Sequence, residues 1–418
     1  MPPRPLELRL ALVAVVVACA ALPLNLTTVQ IALVLAAVLL AVAAVRHPGV
    51  LQTVLSDGRP IHIAVGGLFA AVLVSQLLTP VGFPGWAAVL RCKAWLGYFP
   101  LALVLGLGGP ATRRTATLVL LAGATVAAVL GVVQHFSGIH PNAELLGIPP
   151  DQWQIRAPTD PDRFAAVGLF YNRTRYAHVI AVPLCLAIGL ALWWPNPRLR
   201  VVGTAVAAVV ATALVLSFTR AALAAVILAV IIGVLRHLRR MSARTRGGAL
   251  AGLTVVALLV LAVPSTRLRA ASALDAVANN DRRFIWARAF EIVQDFGATG
   301  VGFGGYGLMH AAYYDPVDPT FAMRSQAHNL LLTFLVEMGP LGVLMLLGLA
   351  VVVLREAACR GDEGSGDQAL ARAAGVALVA LFGISMFHDP LYQAIEAHAF
   401  FVPVALLAAI PRRSEALS

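Results

Sequence analysis

Long apolar stretches alternate with short polar ones along this 418-residue chain. A helix that crosses a bilayer needs about 20 mostly apolar residues, and these stretches approach or reach that length. The pattern predicts twelve spans, at residues 8–24, 29–45, 61–79, 93–109, 115–136, 175–194, 199–216, 221–237, 248–264, 329–354, 370–387 and 397–411. We therefore expect an all-α integral membrane protein in which residues 1–418 form one polytopic domain.

Two of the predicted connections are long, at residues 137–174 and 265–328. The larger one joins the ninth and tenth spans and contains NNDRRFIWARAFEIVQDFG at 279–297. At helical spacing, one face of this segment is mostly apolar and consists of Arg282, Trp286, Ala289, Phe290 and Val293. The opposite face is charged and consists of Arg288, Glu291 and Asp295. We expect an amphipathic helix that lies on the membrane or on the bundle of spans, with Arg288 and Glu291 as an ordinary surface pair.

Composition agrees with the membrane class. The chain is 60% apolar and 12% charged, with a mean hydropathy of +0.84, whereas about a quarter of a soluble domain is charged. So few charges cannot cover a water-facing surface of this size. The four cysteines are scattered and form no CxxC motif, so no disulfide framework or metal site is expected: Cys19, Cys92, Cys185 and Cys359.

The net charge of +11 follows mostly from membrane topology, so we do not expect a nucleic-acid partner. Lys93 is the only lysine among the 31 basic residues. With the N-terminus inside, every inside segment contains at least two arginines, mostly close to a span end: Arg4, Arg9, Arg46, Arg59, Arg113, Arg114, Arg198, Arg200, Arg236, Arg239, Arg240, Arg244, Arg246, Arg355, Arg360, Arg372, Arg412 and Arg413. This distribution predicts that both termini are cytoplasmic.

Two outside arginines lie where a positive charge needs an explanation. Arg220 interrupts the apolar sequence LVLSFTRAALAAVILAV, where it is either a snorkelling interfacial residue or an anion ligand facing a cavity. Arg282 lies on the apolar face of the amphipathic segment, so it needs an anionic partner. That partner is a protein carboxylate or a phosphate, and Arg283, one position further, is the second candidate.

A glycine-rich segment follows the amphipathic helix in the sequence. GVGFGG at 300–305 matches GxGxxG but has no βαβ context, so it predicts a tight return of the chain near the bundle or a ligand.

His328 and Asn329 begin the tenth span beside Arg324. Nearby positive charge disfavours protonation of an imidazole, and a neutral imidazole can act as a general base. Glu337 lies deeper, where we expect a buried carboxylate satisfied by a neighbouring helix.

Three ordered stretches carry a family resemblance: LVLSFTRAAL at 214–223, DRRFIWARAFEIVQDFGATGVGFGGYG at 281–307 and AHNLLLTFLVEMGPLG at 327–342. A weaker fourth is FYNRTRYAHVIAVPL at 170–184. Together they resemble the O-antigen ligase and O-antigen polymerase family of integral membrane glycosyltransferases. The resemblance covers roughly residues 165–355, and the N-terminal spans are similar only in hydropathy.

The resemblance implies transfer of a glycan from a polyprenyl diphosphate to an acceptor hydroxyl, with no metal or other cofactor. It implies that Arg220 and either Arg282 or Arg283 hold the diphosphate and that His328 activates the acceptor. Direct attack by the acceptor predicts inversion at the anomeric carbon. The further substrate-binding residues expected on this basis are Trp286, Gly302, Gly304, Asn329, Asn172, Arg175 and Arg324. The pair Asp315 and Asp318 leaves metal binding to be tested.

The resemblance also implies a bacterial inner-membrane protein whose site faces the periplasm, with 265–328 as a large periplasmic loop that contains amphipathic helices. The expected partners are the lipid-linked glycan donor, a lipid A–core or other glycan acceptor, and membrane lipids. The chain ends soon after the twelfth predicted span, which favours a ligase. A polymerase, a protein O-oligosaccharyltransferase and a lipid-linked oligosaccharide transporter stay open as alternatives.

Overall fold

The computed structural model describes residues 5–80, 89–149, 154–157, 160–238, 246–248, 281–313 and 326–413. Its α-helices are α1 (Leu6–Ala21), α2 (Leu26–Arg46), α3 (Gln52–Asp57), α4 (Arg59–Leu78), α5 (Tyr98–Ser137), α6 (Pro141–Leu145), α7 (Arg173–Trp193), α8 (Pro197–Leu216), α9 (Arg220–His237), α10 (Asp281–Phe296), α11 (Tyr306–Tyr313), α12 (Leu330–Cys359), α13 (Gly366–Ser385) and α14 (Ala394–Ala409). Two 3-10 helices, Leu90–Gly97 and Pro390–Tyr392, and an antiparallel strand pair, Arg156–Ala157 with Asp160–Phe164, complete the described elements.

The described residues contain eight helices that are long and apolar enough to cross a membrane. Two further apolar helices, α1 and α14, have 16 residues each. Eleven of the twelve predicted spans overlap these helices, and the ninth, 248–264, lies outside the described residues. The all-α, multi-pass membrane class is therefore confirmed, whereas the count of twelve stays a prediction.

The fourth and fifth predicted spans form one helical hairpin within α5. Gly109 breaks the helix with φ +72°, a conformation that L side chains rarely adopt, and Pro110 follows it directly. Trp95, just before α5, donates a hydrogen bond to Leu391 O, and Gln134, near its end, donates one to Gly168 O. The chain therefore runs through the bundle, turns at Gly109 and returns.

Asparagine side chains begin several of the spans. Asn25, Asn172, Asn196 and Asn329 each accept a hydrogen bond from a backbone N–H group two or three residues further along. Such N-caps satisfy amide groups that a helix leaves without an internal partner. Two of these residues, Asn172 and Asn329, are among the predicted substrate-binding residues, and each has a defined structural role.

Three helices occupy the centre of the bundle. In α7, 83% of the apolar stretch is buried, against 22% in the peripheral helix α8. Helix α13 is almost as deeply buried as α7, and nearly every residue of α14 is buried. Polar side chains on α7 and α14 are therefore removed from both lipid and bulk water, where they need partners inside the protein.

One end of the bundle is closed by arginine side chains. Arg113 is 2% exposed and donates to Asp367 Oδ1 at 2.9 Å and to Ala409 O at 2.9 Å. Nearby, Arg360 donates to Glu356 at 2.8 Å and to Asp57 O at 2.9 Å, and it also bonds Ile410 O. We call this set the arginine end. It joins the end of α3, the middle of α5, both sides of the α12–α13 turn and the end of α14.

Helix α10 packs against α12 outside the long spans. Its buried positions are Ile285, Ala289 and Ile292, with Trp286 and Val293 partly buried beside them. The buried face of α10 is therefore rotated relative to the predicted apolar face. Phe290, which was expected to be buried, is 53% exposed. The predicted surface pair is confirmed, since Arg288 contacts Glu291 at 2.7 Å.

Adjacent arginines test the arginine end. Arg113→Ala leaves the Asp367 carboxylate without its guanidinium partner, and breaking a buried pair of this kind costs about 3–5 kcal/mol. We expect a marked loss of thermal stability in detergent, measured by the temperature at which the monodisperse protein is lost. Arg114→Ala removes an exposed neighbour and should leave that temperature within a few degrees of wild type. Equal losses in both variants would contradict a special role for Arg113.

Candidate functional site

The glycine-rich segment wraps around a buried carboxylate. Glu337 on α12 is 0% exposed, and it accepts hydrogen bonds from Gly304 N at 2.7 Å and Tyr306 N at 3.2 Å. The Tyr392 hydroxyl donates to the same carboxylate. The expected buried and satisfied carboxylate is therefore present, but a loop and a tyrosine satisfy it instead of a neighbouring helix. Gly302 and Gly304 have φ of +85° and +78°, which lets the backbone turn its amide groups inward.

The same segment packs against a break in α12. A Cβ on Gly300 would lie 2.5 Å from the Glu337 carbonyl oxygen, so any side chain here would displace the loop. Gly339 has φ +63° and precedes Pro340, so the predicted straight span 329–354 is interrupted at this point. The tight chain return predicted from GVGFGG is confirmed, and it lies against the bundle.

A strained turn presents His328. Its φ of +53° lies in the left-handed region, which is unfavourable for a residue with a side chain. On one side, Trp286 Nε1 donates to Ala327 O at 2.9 Å, and Ala327 N donates to Thr333 Oγ1 at 3.2 Å. On the other side, Asn329 caps α12 and donates to Met386 O at 3.1 Å. Trp286 and Asn329, predicted to bind substrate, thus fix the backbone around His328.

Asp389, in the turn between α13 and α14, completes this arrangement. Its carboxylate is 4% exposed and accepts a hydrogen bond from Thr333 Oγ1 at 2.7 Å and one from the His328 backbone N–H. Burial raises the pKa of Asp389 to about 7, and the negative charges of Glu337 and Glu396 also favour the protonated form, although the two hydrogen bonds oppose the shift.

His388 lies between two other histidines. Its ring centroid is 6.1 Å from that of His328 and 4.6 Å from that of His178 on α7. Burial lowers the pKa of His388 to about 2, with further contributions from positive charge on His178, Arg282 and His328. His388 is therefore neutral at physiological pH, and a positive charge on its ring is disfavoured.

Arg282 borders the same cluster from α10. Its guanidinium carbon lies 5.7 Å from the centroid of the Phe387 ring, and burial lowers its pKa while the Asp389 carboxylate opposes that change. The Asp389 carboxylate is thus one protein anion within electrostatic range of Arg282, and the alternative partner, a phosphate, stays a prediction. Arg283, the next residue, is exposed.

Arg220 belongs to a second cationic group at the same end of the bundle. It is the first residue of α9 and is exposed, and its charge acts on Arg173, the first residue of α7. Thr219 Oγ1 also donates to Arg173 O at 3.4 Å. The two guanidinium groups are therefore within electrostatic range of each other. Arg173 and His178 are on one helix, about 7.5 Å apart along its axis, so α7 links this group to the histidines.

The remaining predicted residues have different positions. Asn172 caps α7, with Oδ1 accepting from Thr174 N at 2.8 Å, and Arg175 is exposed beside it. Arg324, Asp315 and Asp318 lie outside the described residues. The structure thus groups His328, Asn329, Trp286 and Arg282 in one region. It places Asn172 and Arg220 beside that region, at the first turns of α7 and α9.

Several polar residues of this region were not singled out from the sequence: Arg173, His178, His388, Asp389 and Glu396. The available signal was the sequence FHDPLYQAIEAH at 387–398, which places five titratable residues at the junction of two apolar spans. Apolar periodicity could not show that these residues face α7 and α12, because that contact depends on how distant helices pack.

Comparison with protein families agrees with the resemblance. Residues 205–347 match the sequence model of the family described as O-antigen ligase. The resemblance to this family is therefore confirmed over that range, which is less than half of the chain and which includes Arg220, Arg282 and His328. Asn172, His178, His388, Asp389 and Glu396 lie outside it. A search of curated proteins finds no match.

Asp389 gives a pH-dependent prediction. A carboxyl whose pKa is raised from 3.8 to about 7 on folding binds its proton more tightly in the folded protein, so its contribution to stability falls as pH rises between those values. Asp389→Asn removes this contribution. We expect the variant to gain thermal stability relative to wild type on going from pH 4 to pH 8. Asp362→Asn, at an exposed aspartate, is the control. A stability difference independent of pH would contradict the raised pKa.

Proposed function

We propose that this protein is a membrane glycosyltransferase that moves a glycan from a polyprenyl diphosphate to an acceptor hydroxyl, most specifically from undecaprenyl diphosphate to lipid A–core in lipopolysaccharide assembly. The match to the O-antigen ligase family supports a glycosyltransferase of the ligase or polymerase kind. The donor, the acceptor and the roles of individual residues are our proposal, based on the chemistry of the site.

The observation that carries the proposal is the arrangement around His328. A histidine in a strained turn lies in a cluster with Arg282, Asp389 and the neutral imidazole of His388. All of these lie at the end of the bundle opposite the arginine end. The positive-inside rule assigns the arginine end to the cytoplasm, which would place the cluster at the periplasmic face, where a lipid-linked glycan is available after translocation.

The arginines suit a diphosphate leaving group. Guanidinium groups stay charged and bind phosphate oxygens in a two-point fashion. Arg282 would exchange its interaction with the Asp389 carboxylate for the diphosphate, and Arg220 with Arg173 would supply positive charge from the neighbouring mouth. Preorganised cations at a leaving group can contribute several kcal/mol to catalysis. Such electrostatic stabilisation would not require a metal ion.

His328 would act as the general base. The acceptor oxygen attacks the anomeric carbon and transfers its proton to the imidazole, while the bond from that carbon to the phosphate oxygen breaks. The electron pair of that bond leaves with the lipid diphosphate. Because the acceptor attacks directly, on the side opposite the leaving group, the anomeric configuration would be inverted.

A transfer assay tests the function. The purified protein receives a polyprenyl-diphosphate glycan and lipid A–core in detergent or nanodiscs, without added metal and, in parallel, with EDTA. We expect glycosylated lipid A–core from wild type and a loss of about 10²–10⁴-fold in His328→Ala, the range for a general base. His47→Ala, at an exposed histidine outside the cluster, is the control and should retain activity.

Other products would identify the alternatives. Lengthening of the lipid-linked glycan would assign a polymerase, and glycosylation of a supplied serine- or threonine-containing protein would assign a protein O-oligosaccharyltransferase. No transfer to any of these acceptors by well-folded wild type would contradict the glycosyltransferase proposal. Inhibition by EDTA would contradict metal-independent transfer.

The adjacent arginines of α10 give a second test. Arg282→Ala should reduce kcat strongly, because the half-buried guanidinium beside Phe387 is the one that faces the cluster. Arg283→Ala removes an exposed guanidinium and should have a much smaller effect. Arg282→Lys should recover part of the rate, since it restores the charge but not the two-point geometry. A larger loss in Arg283→Ala would show that the second arginine holds the diphosphate.

A further inference from the structure

A buried carboxylate–imidazole pair lies behind the histidine cluster. His178 on α7 and Glu396 in the first turn of α14 are 1% and 5% exposed, and His178 Nδ1 lies 2.5 Å from Glu396 Oε1. Both helices are central in the bundle, so this pair is far from lipid and bulk water. Burying a charged pair costs free energy unless its geometry is good. A pair of this kind next to the candidate site therefore points to a role in that site.

The contact with Glu396 fixes which nitrogen of His178 can accept a proton. An ionised carboxylate only accepts hydrogen bonds, so Nδ1 is the donor and carries the hydrogen. The neutral ring then has a bare lone pair on Nε2. Nε2 is buried and has no hydrogen-bond partner among the described residues. Buried nitrogen atoms normally have hydrogen-bond partners. The Nε2 lone pair is therefore available to accept a proton.

The nearest candidate donor is His388. Its ring lies 4.6 Å from the His178 ring between centroids, with the planes inclined by 63°. The His328 ring lies 6.1 Å on the other side of His388. The three rings therefore form a series that leads from the strained turn into the centre of the bundle and ends at Glu396.

We propose that His178 and Glu396 are positioning residues for the transfer reaction: together they form a proton-accepting dyad that receives, through His388, the proton that His328 takes from the acceptor hydroxyl. This inference rests on the proposed function. A carboxylate that orients an imidazole and stabilises its protonated form is a known arrangement in hydrolases. Here it acts through a second imidazole and not on the substrate itself.

The proton balance is as follows. The acceptor hydroxyl proton passes to His328 as the new bond to the anomeric carbon forms and the bond to phosphate breaks. His328 passes one proton to His388, and His388 passes one to Nε2 of His178. The resulting imidazolium is stabilised by the Glu396 carboxylate, and His328 is again neutral. Ring rotation or one intervening water spans the larger gap, and the proton returns to solvent through the same series after product release.

The charged groups around the series are consistent with this direction. Arg282 faces His388 from α10 and disfavours positive charge there, so His388 would transmit a proton and not store it. Asp389 lies beside His328, and both Glu337 and Glu396 act on Asp389. Glu396 contacts His178 directly, so the dyad at the far end is the position in the series where a positive imidazolium is best stabilised.

Glutamine variants test this proposal in the lipid A–core transfer assay, with kcat and KM for the donor measured from pH 6 to pH 9. His178→Gln removes the lone pair and Glu396→Gln removes the carboxylate charge at nearly constant volume. His388→Gln interrupts the series at a half-buried position, where a folding defect is least expected. We expect kcat at pH 7 to fall about 10- to 100-fold in each, less than for loss of the general base, with KM unchanged. The loss should shrink towards pH 9, where hydroxide can take the proton from His328.

His398→Gln is the matched control. His398 is a second buried histidine on α14, with an Nε2 atom that has no hydrogen-bond partner among the described residues, but it faces Gly97 and not the site. This variant should keep the wild-type rate and pH profile. Glu396→Asp, which keeps the charge, should restore part of the rate lost in Glu396→Gln.

Other results would overturn the proposal. Wild-type rates in folded Glu396→Gln and His388→Gln would show that no proton passes along the series. A loss that is equal at every pH and parallels a fall in thermal stability would show a structural role only. Failure of the proposed function is distinguishable, because wild type itself would then transfer no glycan to any acceptor.

Discussion

The candidate site depends on one buried carboxylate that holds a strained backbone. Asp389 accepts hydrogen bonds from Thr333 and from the His328 backbone N–H, and His328 adopts a left-handed conformation that is unfavourable for its side chain. Thr333 also accepts a bond from Ala327 N. The turn before α12 is therefore fixed from the turn before α14, and any movement of one helix relative to the other displaces His328.

The two ends of the bundle differ in how their arginines are bonded. At the arginine end, buried guanidinium groups bond carbonyl groups and carboxylates from several helices, which fixes the spans relative to each other. At the opposite end, Arg220 is exposed, and Arg173 and Arg282 are half-buried. Buried, paired arginines therefore lie at one end of the bundle, and more accessible arginines lie at the other.

The sequence predicted much of this fold because membrane spans depend on local composition. Apolar length located α2, α4 and α7, and the GVGFGG glycines predicted a chain return that the structure confirms. It also predicted that Arg282 needs an anion and that Glu337 is buried and satisfied. It did not predict the break at Gly339 or the rotated face of α10, because both depend on packing against α12.

The residues that sequence reasoning missed are those whose role arises only from the packing of distant helices. His178 and Glu396 are 218 positions apart in the chain, and each is preceded and followed by apolar residues that indicate only a span. Motif comparison could not supply them either, since both lie outside residues 205–347. Their pairing follows from the central position of α7 and α14.

The central claim is that the cluster around His328 is the donor-diphosphate site. The most direct measurement is an experimental structure of the protein in lipid nanodiscs with a non-transferable polyprenyl-diphosphate glycan analogue bound. We expect the diphosphate to contact the Arg282 guanidinium, with the anomeric carbon facing the His328 imidazole and Arg220 directed at the phosphates. A diphosphate bound away from both His328 and Arg282 would contradict the account.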